Sequence, residues 1–138
     1  MIDTIVNNCK LIDLPTIKNR AGNITPIHNN EEVPFDIKRI YYLYDIPGGV
    51  SRGGHAHKKL HQLIISVSGS FNVELYDGKN KMVFNLNRPN KGLLIVPGIW
   101  RELKDFSSGS VCLVLASELY DENDYIHIEN EFNDYKTI

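Results

Sequence analysis

Short apolar runs, interrupted every few residues by turn formers, constrain this chain more than any other feature. Such a pattern leaves room for strands and tight turns and little for long helices. The spacing predicts strands over residues 8–13, 24–27, 37–44, 57–67, 71–76, 81–86, 93–96 and 111–117. Turns fall between them at 19–23, 29–34, Ser68-Gly69-Ser70, Asp77-Gly78, 87–92 and Pro97-Gly98. Asp-Gly between two alternating runs is a strong hairpin signal. Residues 45–54 hold Pro47 and four glycines and read as a loop. Tyr125, Ile128, Phe132 and Tyr135 fall at helical spacing, which predicts a short C-terminal helix with a structural role. The alternation of Ile126 and Ile128 makes an irregular extension the rival. About nine short antiparallel strands predict an all-β barrel, one domain over residues 1–138, of a size that encloses one small ligand.

Composition narrows the functional classes. Apolar residues make up 42% and charged residues 23%, with a formal net charge of −2. No whole-molecule field favours nucleic acid or an anionic membrane, and no apolar run is long enough to cross a bilayer. The first ten residues carry Asp3 and no apolar block, so they do not read as a secretory signal. Two cysteines, Cys9 and Cys112, make no disulfide framework, and a cytoplasmic location is expected.

The chemistry concentrates in Ser51-Arg52-Gly53-Gly54-His55-Ala56-His57-Lys58-Lys59. Side chains at i and i+2 of a strand share a face, so His55 and His57 project together. Two adjacent imidazoles suit metal binding or proton transfer. A metal needs three or four converging ligands. The next candidates are His61, which differs in parity from His57, and Glu102, which adjoins the guanidinium of Arg101. Proton transfer needs only a near-neutral imidazole and a partner that orients it. Along 37–44, Arg39, Tyr41 and Leu43 share one face, and Ile40, Tyr42 and Tyr44 the other. With the Arg39 face inward, an arginine and a phenol join the histidines. Arg20, Arg52, Lys58 and Arg101 lie at loops or strand ends, where they would hold a diphosphate at a barrel mouth. Trp100 reads equally as core or as a stacking platform.

The runs Phe35-Asp36-Ile37-Lys38-Arg39-Ile40-Tyr41-Tyr42 and Arg52-Gly53-Gly54-His55-Ala56-His57-Lys58 resemble the sugar 3,4-ketoisomerases of the cupin superfamily. So do Gly92 through Pro97, Trp100-Arg101-Glu102, Asp105-Phe106-Ser107 and the stretch from Leu115 to Ile126. The resemblance spans residues 8–135. It implies a jelly-roll barrel and a homodimer with exchanged N-terminal strands. It also implies a site with no metal and no cofactor. The substrate would be dTDP-4-keto-6-deoxyglucose, a dTDP-linked keto-deoxysugar whose ketone moves from carbon 4 to carbon 3 on the way to 3-amino-3,6-dideoxy sugars. His57 takes the position of the base and His55 of its essential neighbour. Tyr41 or Tyr42 and Arg39 match pocket residues. Where the general cupin motif carries a glutamate, this chain reads Lys58-Lys59-Leu60-His61-Gln62; where it ends in a histidine ligand, this chain has Arg101 and Glu102. A nucleotide-sugar 3,5-epimerase, a metal-dependent cupin oxygenase and a non-catalytic sugar-binding module remain the rivals.

Overall fold

A computed structural model describes residues 3–137. Two five-stranded antiparallel sheets face each other as a jelly roll. The strands are β1 (Lys10–Asp13), β2 (Arg39–Leu43), β3 (Arg52–His57), β4 (Gln62–Ser68) and β5 (Phe71–Tyr76). They continue as β6 (Lys81–Leu86), β7 (Lys91–Ile95), β8 (Trp100–Lys104), β9 (Val111–Ala116) and β10 (Tyr125–Ile126), before one helix, α1 (Glu129–Lys136). One sheet runs β1-β7-β4-β9-β2 and the other β10-β3-β8-β5-β6.

Period-two alternation sorts the side chains into three apolar layers. Between the sheets lie Ile64, Phe71, Val73, Leu75, Leu93, Leu103, Cys112 and Val114. On the outer face of the first sheet, Leu63, Ile65 and Leu115 meet Leu14, Val33 and Phe35 from the long segment before β2. On the outer face of the second, Ala56, Trp100 and Ile126 meet Phe132 of α1. Ala56, between the two histidines, thus faces the helix, and its small side chain lets Phe132 close in.

Several sequence expectations need correction. The run expected as one strand over 57–67 is two strands with a turn between them. The Asp124 carboxylate takes the N–H groups of Lys59 (2.8 Å) and Leu60 (3.2 Å), and its carbonyl takes that of Lys58 (3.0 Å). These bonds replace a ladder and fold the chain away after His57. The histidines therefore end β3 instead of opening β4. The stretch at 24–27 forms only an isolated bridge, Ile17 to Ile24, because no further strand lies beside it. Residues 6–8 form a 3-10 turn, so the first strand starts at Lys10. Strand β8 was not anticipated; its inner face carries Arg101, which broke the apolar signal. The C-terminal helix is shorter than the spacing of Tyr125 to Tyr135 predicts. Tyr125 and Ile126 pair instead with His57 and Ala56.

Candidate active site

Cross-strand register assembles the site. In the second sheet His57 lies directly opposite Tyr125, and His55 directly opposite Arg101. Opposed residues of an antiparallel pair share a face, so all four side chains point between the sheets. A register shift between Arg52 and His55 marks a bulge, with Gly53 at φ 71°, a left-handed conformation suited to glycine. The bulge brings the Gly53 backbone beneath the Arg101 guanidinium, where an added Cβ would lie 3.5 Å from Nη1. The far end of β3 is pinned by Gly98, whose N–H donates to the His57 carbonyl at 2.8 Å. Any side chain at Gly98 would strike Thr4 Oγ1 at 2.5 Å. From the first sheet, β2 contributes Arg39 and Tyr41.

The two imidazoles meet edge to face, with centroids 4.7 Å apart at 87°. The Tyr125 ring lies 4.4 Å from His57 and 5.0 Å from His55. Arg39 Nη2 donates to the Tyr125 hydroxyl at 3.2 Å, a contact that ties one sheet to the other across the barrel. The Arg39 guanidinium also lies over the Tyr41 ring (5.1 Å) and the Tyr120 ring (5.5 Å). Arg101 Nη2 donates to Tyr41 Oη and to His55 Nε2, each at 3.2 Å. Farther out, His127 stacks on Tyr125 at 5.2 Å and 14°, and bonds Glu122 at 2.7 Å.

Burial and charge act in the same direction here. His57 is 4% exposed, and its Nε2 is buried with no partner among the described residues. Burial first, then the charges of His55, Arg101, Arg39 and His127, push its pKa down to about 2. Burial and then Arg101, His127 and Arg39 push His55 down to about 3. Both rings are neutral at cellular pH. Three further inward side chains hold buried polar atoms with no partner among the described residues, and Arg39 is one of them, at Nε. Gln62, on the inward face of β4, has no partner for either amide atom. Arg101 has none for Nε and Nη1. Buried polar groups usually have partners, so this clustering of orphans marks a place prepared for a polar ligand.

The sequence-predicted site residues divide into two groups. His55, His57, Arg39, Tyr41 and Arg101 come together. Tyr42 does not: the strand pleat turns it outward beside Tyr44, and it is 59% exposed. Arg20 is exposed on the 19–22 turn, Arg52 is exposed before the bulge, and Lys58 is exposed just past the end of β3. None of these three makes a side-chain hydrogen bond or ion pair to the cluster among the described residues. The expectation of a mouth-side anion contact at Arg101 is also corrected, because register with His55 carries its guanidinium into the interior. Trp100 is under α1, where its ring meets Phe132 at 5.8 Å, so it is core and not a stacking platform. Glu102 points outward too, accepting from Trp100 Nε1 and pairing with Lys104 at 3.6 Å. His61 lies beside Phe35 in the outer layer. Neither can join the two histidines as a third metal ligand. Tyr125, Tyr120, His127 and Glu122 were missed as site residues. The signal was the alternation of Tyr125, Ile126 and His127, which has strand and not helix period.

Comparison with known proteins places the chain. Residues 7–137 match the family described as FdtA: WxcM-like, C-terminal, and the chain belongs to that family. It is 43% identical over 126 residues, 91% of each sequence, to TDP-4-oxo-6-deoxy-alpha-D-glucose-3,4-oxoisomerase of Aneurinibacillus thermoaerophilus. Among solved structures it resembles a histidine-to-asparagine variant of the 3,4-ketoisomerase QdtA from Thermoanaerobacterium thermosaccharolyticum in complex with TDP-4-keto-6-deoxyglucose. The TM-score is 0.94 and the identity 41%, over 96% of each chain. It also resembles WlaRB, a TDP-quinovose 3,4-ketoisomerase from Campylobacter jejuni, with TM-score 0.89 and 46% identity over 94% of this chain and 99% of that one.

Proposed function

We propose that this chain is a 3,4-ketoisomerase acting on TDP-4-keto-6-deoxyglucose by histidine acid–base chemistry, with no metal. The observation that carries the reading is the enclosed pair of neutral imidazoles flanked by two guanidiniums and two phenols. Its relatives' named activity supplies the substrate class.

The proton on carbon 3 is acidic because the carbonyl at carbon 4 takes up the electron pair. His57 removes that proton and an enediolate forms. Reprotonation at carbon 4, with loss of the hydroxyl proton from oxygen 3, leaves the ketone at carbon 3. Arg39 and Arg101 supply positive charge for the developing oxyanion in an interior of low polarity, where it counts most. An imidazole held near pKa 2 is a poor proton acceptor. Negative charge that develops on the substrate beside Arg39 and Arg101 as the proton leaves carbon 3 counters their part of the depression, while burial, the larger cause, remains. Tyr125, opposite His57, is the phenol best placed to pass a proton. Both phenols accept an arginine N–H at 3.2 Å, Tyr125 from Arg39 and Tyr41 from Arg101, and it is the ladder position beside His57 that sets Tyr125 apart.

The 3-keto product is the natural precursor of a 3-amino-3,6-dideoxy sugar. Both cysteines are free and buried, in keeping with a reducing cytoplasm. Two copies of the chain are expected to pair, covering the exposed Ile40 and Tyr42 of edge strand β2 and Tyr44 just past its end. Sedimentation at micromolar concentration would show a dimer if this is right, and a monomer if not.

Proton NMR of the product formed from TDP-4-keto-6-deoxyglucose tests the central reading. A ketone at carbon 3, formed at full rate by chelator-treated protein, is expected. Solvent exchange at carbons 3 and 5 with the ketone unmoved would make the chain an epimerase. Activity lost to chelator and restored by iron or zinc would move it to the metal enzymes. Calorimetric binding of TDP without turnover would leave a binding module.

A further inference from the structure

Lys136, the last residue of α1, is half-buried and turns its ammonium toward the barrel instead of toward water. Its three N–H groups all have acceptors: the Thr4 carbonyl (2.7 Å), the Gly98 carbonyl (2.8 Å) and Thr4 Oγ1 (3.2 Å). No carboxylate pairs with it among the described residues. A lysine near a helix C-terminus ordinarily serves the last carbonyls of its own helix. This one reaches instead to residues 132 and 38 positions away in the chain. Ordering a long side chain costs rotamer freedom, so an ammonium fully committed to distant acceptors calls for a reason.

What Lys136 grips leads to the histidine strand. Thr4 Oγ1 accepts from the ammonium and donates its own proton to the Pro97 carbonyl at 2.7 Å. That carbonyl and the Gly98 N–H belong to one planar peptide and point in opposite directions. The N–H end donates to the His57 carbonyl at 2.8 Å. The peptide is thus held at both ends, by Thr4 on one side and by the last residue of β3 on the other. One turn earlier on the same face of α1, Phe132 packs behind Ala56. Phe132 backs the strand between its two histidines, and Lys136 fixes the end of it.

We propose that Lys136 is a positioning residue: through Thr4 and the Pro97–Gly98 peptide it fixes the end of β3, and with it the two histidine rings against the rest of the site. The kinetic consequence rests on the ketoisomerase reading; the clasp itself does not. The rival is a clasp that only ties α1 and the N-terminal segment to the barrel. Other groups already do that. The Asp77 carboxylate takes the N–H of Val6 at 2.9 Å, along with those of Lys79 and Asn80 from its own turn. Phe132, fully buried, anchors α1. What Thr4 and Lys136 add is the orientation of one peptide. Beside the ammonium lies a cavity of about 370 Å³, lined in part by Asp3, Tyr76, Asn80 and Asn133, which gives room for a longer cation.

Lys136→Met, Lys136→Arg and Thr4→Val separate the two. Ring-nitrogen shifts of 15N-labelled histidines and amide hydrogen exchange, both read by NMR in the substrate-free protein, report on the strand end. In Lys136→Met the Gly98 amide should exchange roughly tenfold faster relative to the core amides of Leu63 and Val73, a local opening and not a global one. Both histidine ring spectra should shift. In steady-state kinetics kcat should fall roughly tenfold with KM for TDP-4-keto-6-deoxyglucose within about twofold, as expected of a small misplacement of reacting groups. Lys136→Arg should return most of kcat and the wild-type ring spectra. Thr4→Val, which removes only the bonds through the hydroxyl, should show the same changes at smaller size. An unchanged kcat in Lys136→Met, with the wild type active, would overturn the proposal, as would ring spectra and Gly98 exchange that match the wild type. If Lys136→Met fails to fold, Thr4→Val answers the question: faster Gly98 exchange with shifted rings supports the clasp, and wild-type behaviour overturns it. A wild type that turns over no keto sugar would sink the ketoisomerase reading, and the ring spectra would still judge the clasp.

Discussion

The two ends of the barrel interior are built on the same strands and obey opposite rules. On β8, Leu103 lies in a dry apolar core while Arg101, two residues away on the same face, keeps unpaired N–H groups. On β2, Leu43 packs on that core while Tyr41 and Arg39 reach the histidines. Leu75 of β5 and His55 of β3 flank Arg101 on the two sides of one row. The pleat sends residues inward at every second position and does not distinguish a leucine from an arginine. What differs is the energetic role. One end supplies the stability that the other gives up by burying polar groups without partners.

Paired substitutions can break this contrast. The largest effect is expected for His57→Asn at the polar end. Product formation followed by NMR should fall roughly 10²–10⁴-fold, the usual contribution of a positioned acid–base group. Urea unfolding above pH 6.5 should show a comparatively small change in stability, because one buried polar side chain replaces another. Leu103→Ala at the apolar end should do the reverse. It should cost about 2–5 kcal/mol in the same unfolding experiment, with kcat per folded molecule retained. Lost activity at full stability in Leu103→Ala would show that the two ends are not separable.

The pH dependence sharpens the comparison. Both histidines have folded-state pKa values depressed from 6.5, to about 3 and about 2. The unfolded chain therefore binds more protons than the folded one below pH 6.5. Stability from these groups is complete above that pH and is lost progressively as pH falls toward 3 and then 2. Thermal melts should show a shallower acid decline in His55→Asn than in the wild type. In kinetics, the acid limb of kcat/KM should lie below 6.5, and that of kcat should lie higher than it, because bound substrate offsets the arginines.

Smaller effects are expected at the strap between the sheets. Tyr125→Phe removes the hydroxyl that Arg39 holds, at about 1 kcal/mol for one net hydrogen bond, or roughly fivefold. A much larger loss in kcat alone would identify Tyr125 as the proton-passing phenol. Smallest of all, Tyr42→Ser on the outer face should leave kcat unchanged and shift monomer stability by less than about 0.5 kcal/mol. A large loss of activity in dilute solution that recovers at high protein concentration would instead tie the site to dimer formation.

Much of this was legible before any coordinates. Strands β5 and β6 fall where their alternation and the Asp77-Gly78 turn put them. The shared face of Arg39 and Tyr41 followed from parity. Strand β8 was hidden because its inward positions hold Arg101 as well as Leu103, so the apolar signal that betrays a strand was missing where function had replaced it. Tyr125 shares helical spacing with Phe132 and Tyr135, which do lie on a helix, and only the brief alternation through Ile126 and Ile128 marks the change of period before it.

The sequence by itself determined the class of fold, the strand cadence and the pairing of two imidazoles on one face, because each depends on residues adjacent along the chain. Only the tertiary structure decided that Arg101 meets His55, that Tyr125 meets His57 and that Glu102 and Trp100 turn away. Those outcomes depend on register between strands 46 to 68 residues apart. Register is set by a bulge at Gly53, a carboxylate at Asp124 and the packing of a helix on Ala56, none of which acts on the neighbouring residues alone.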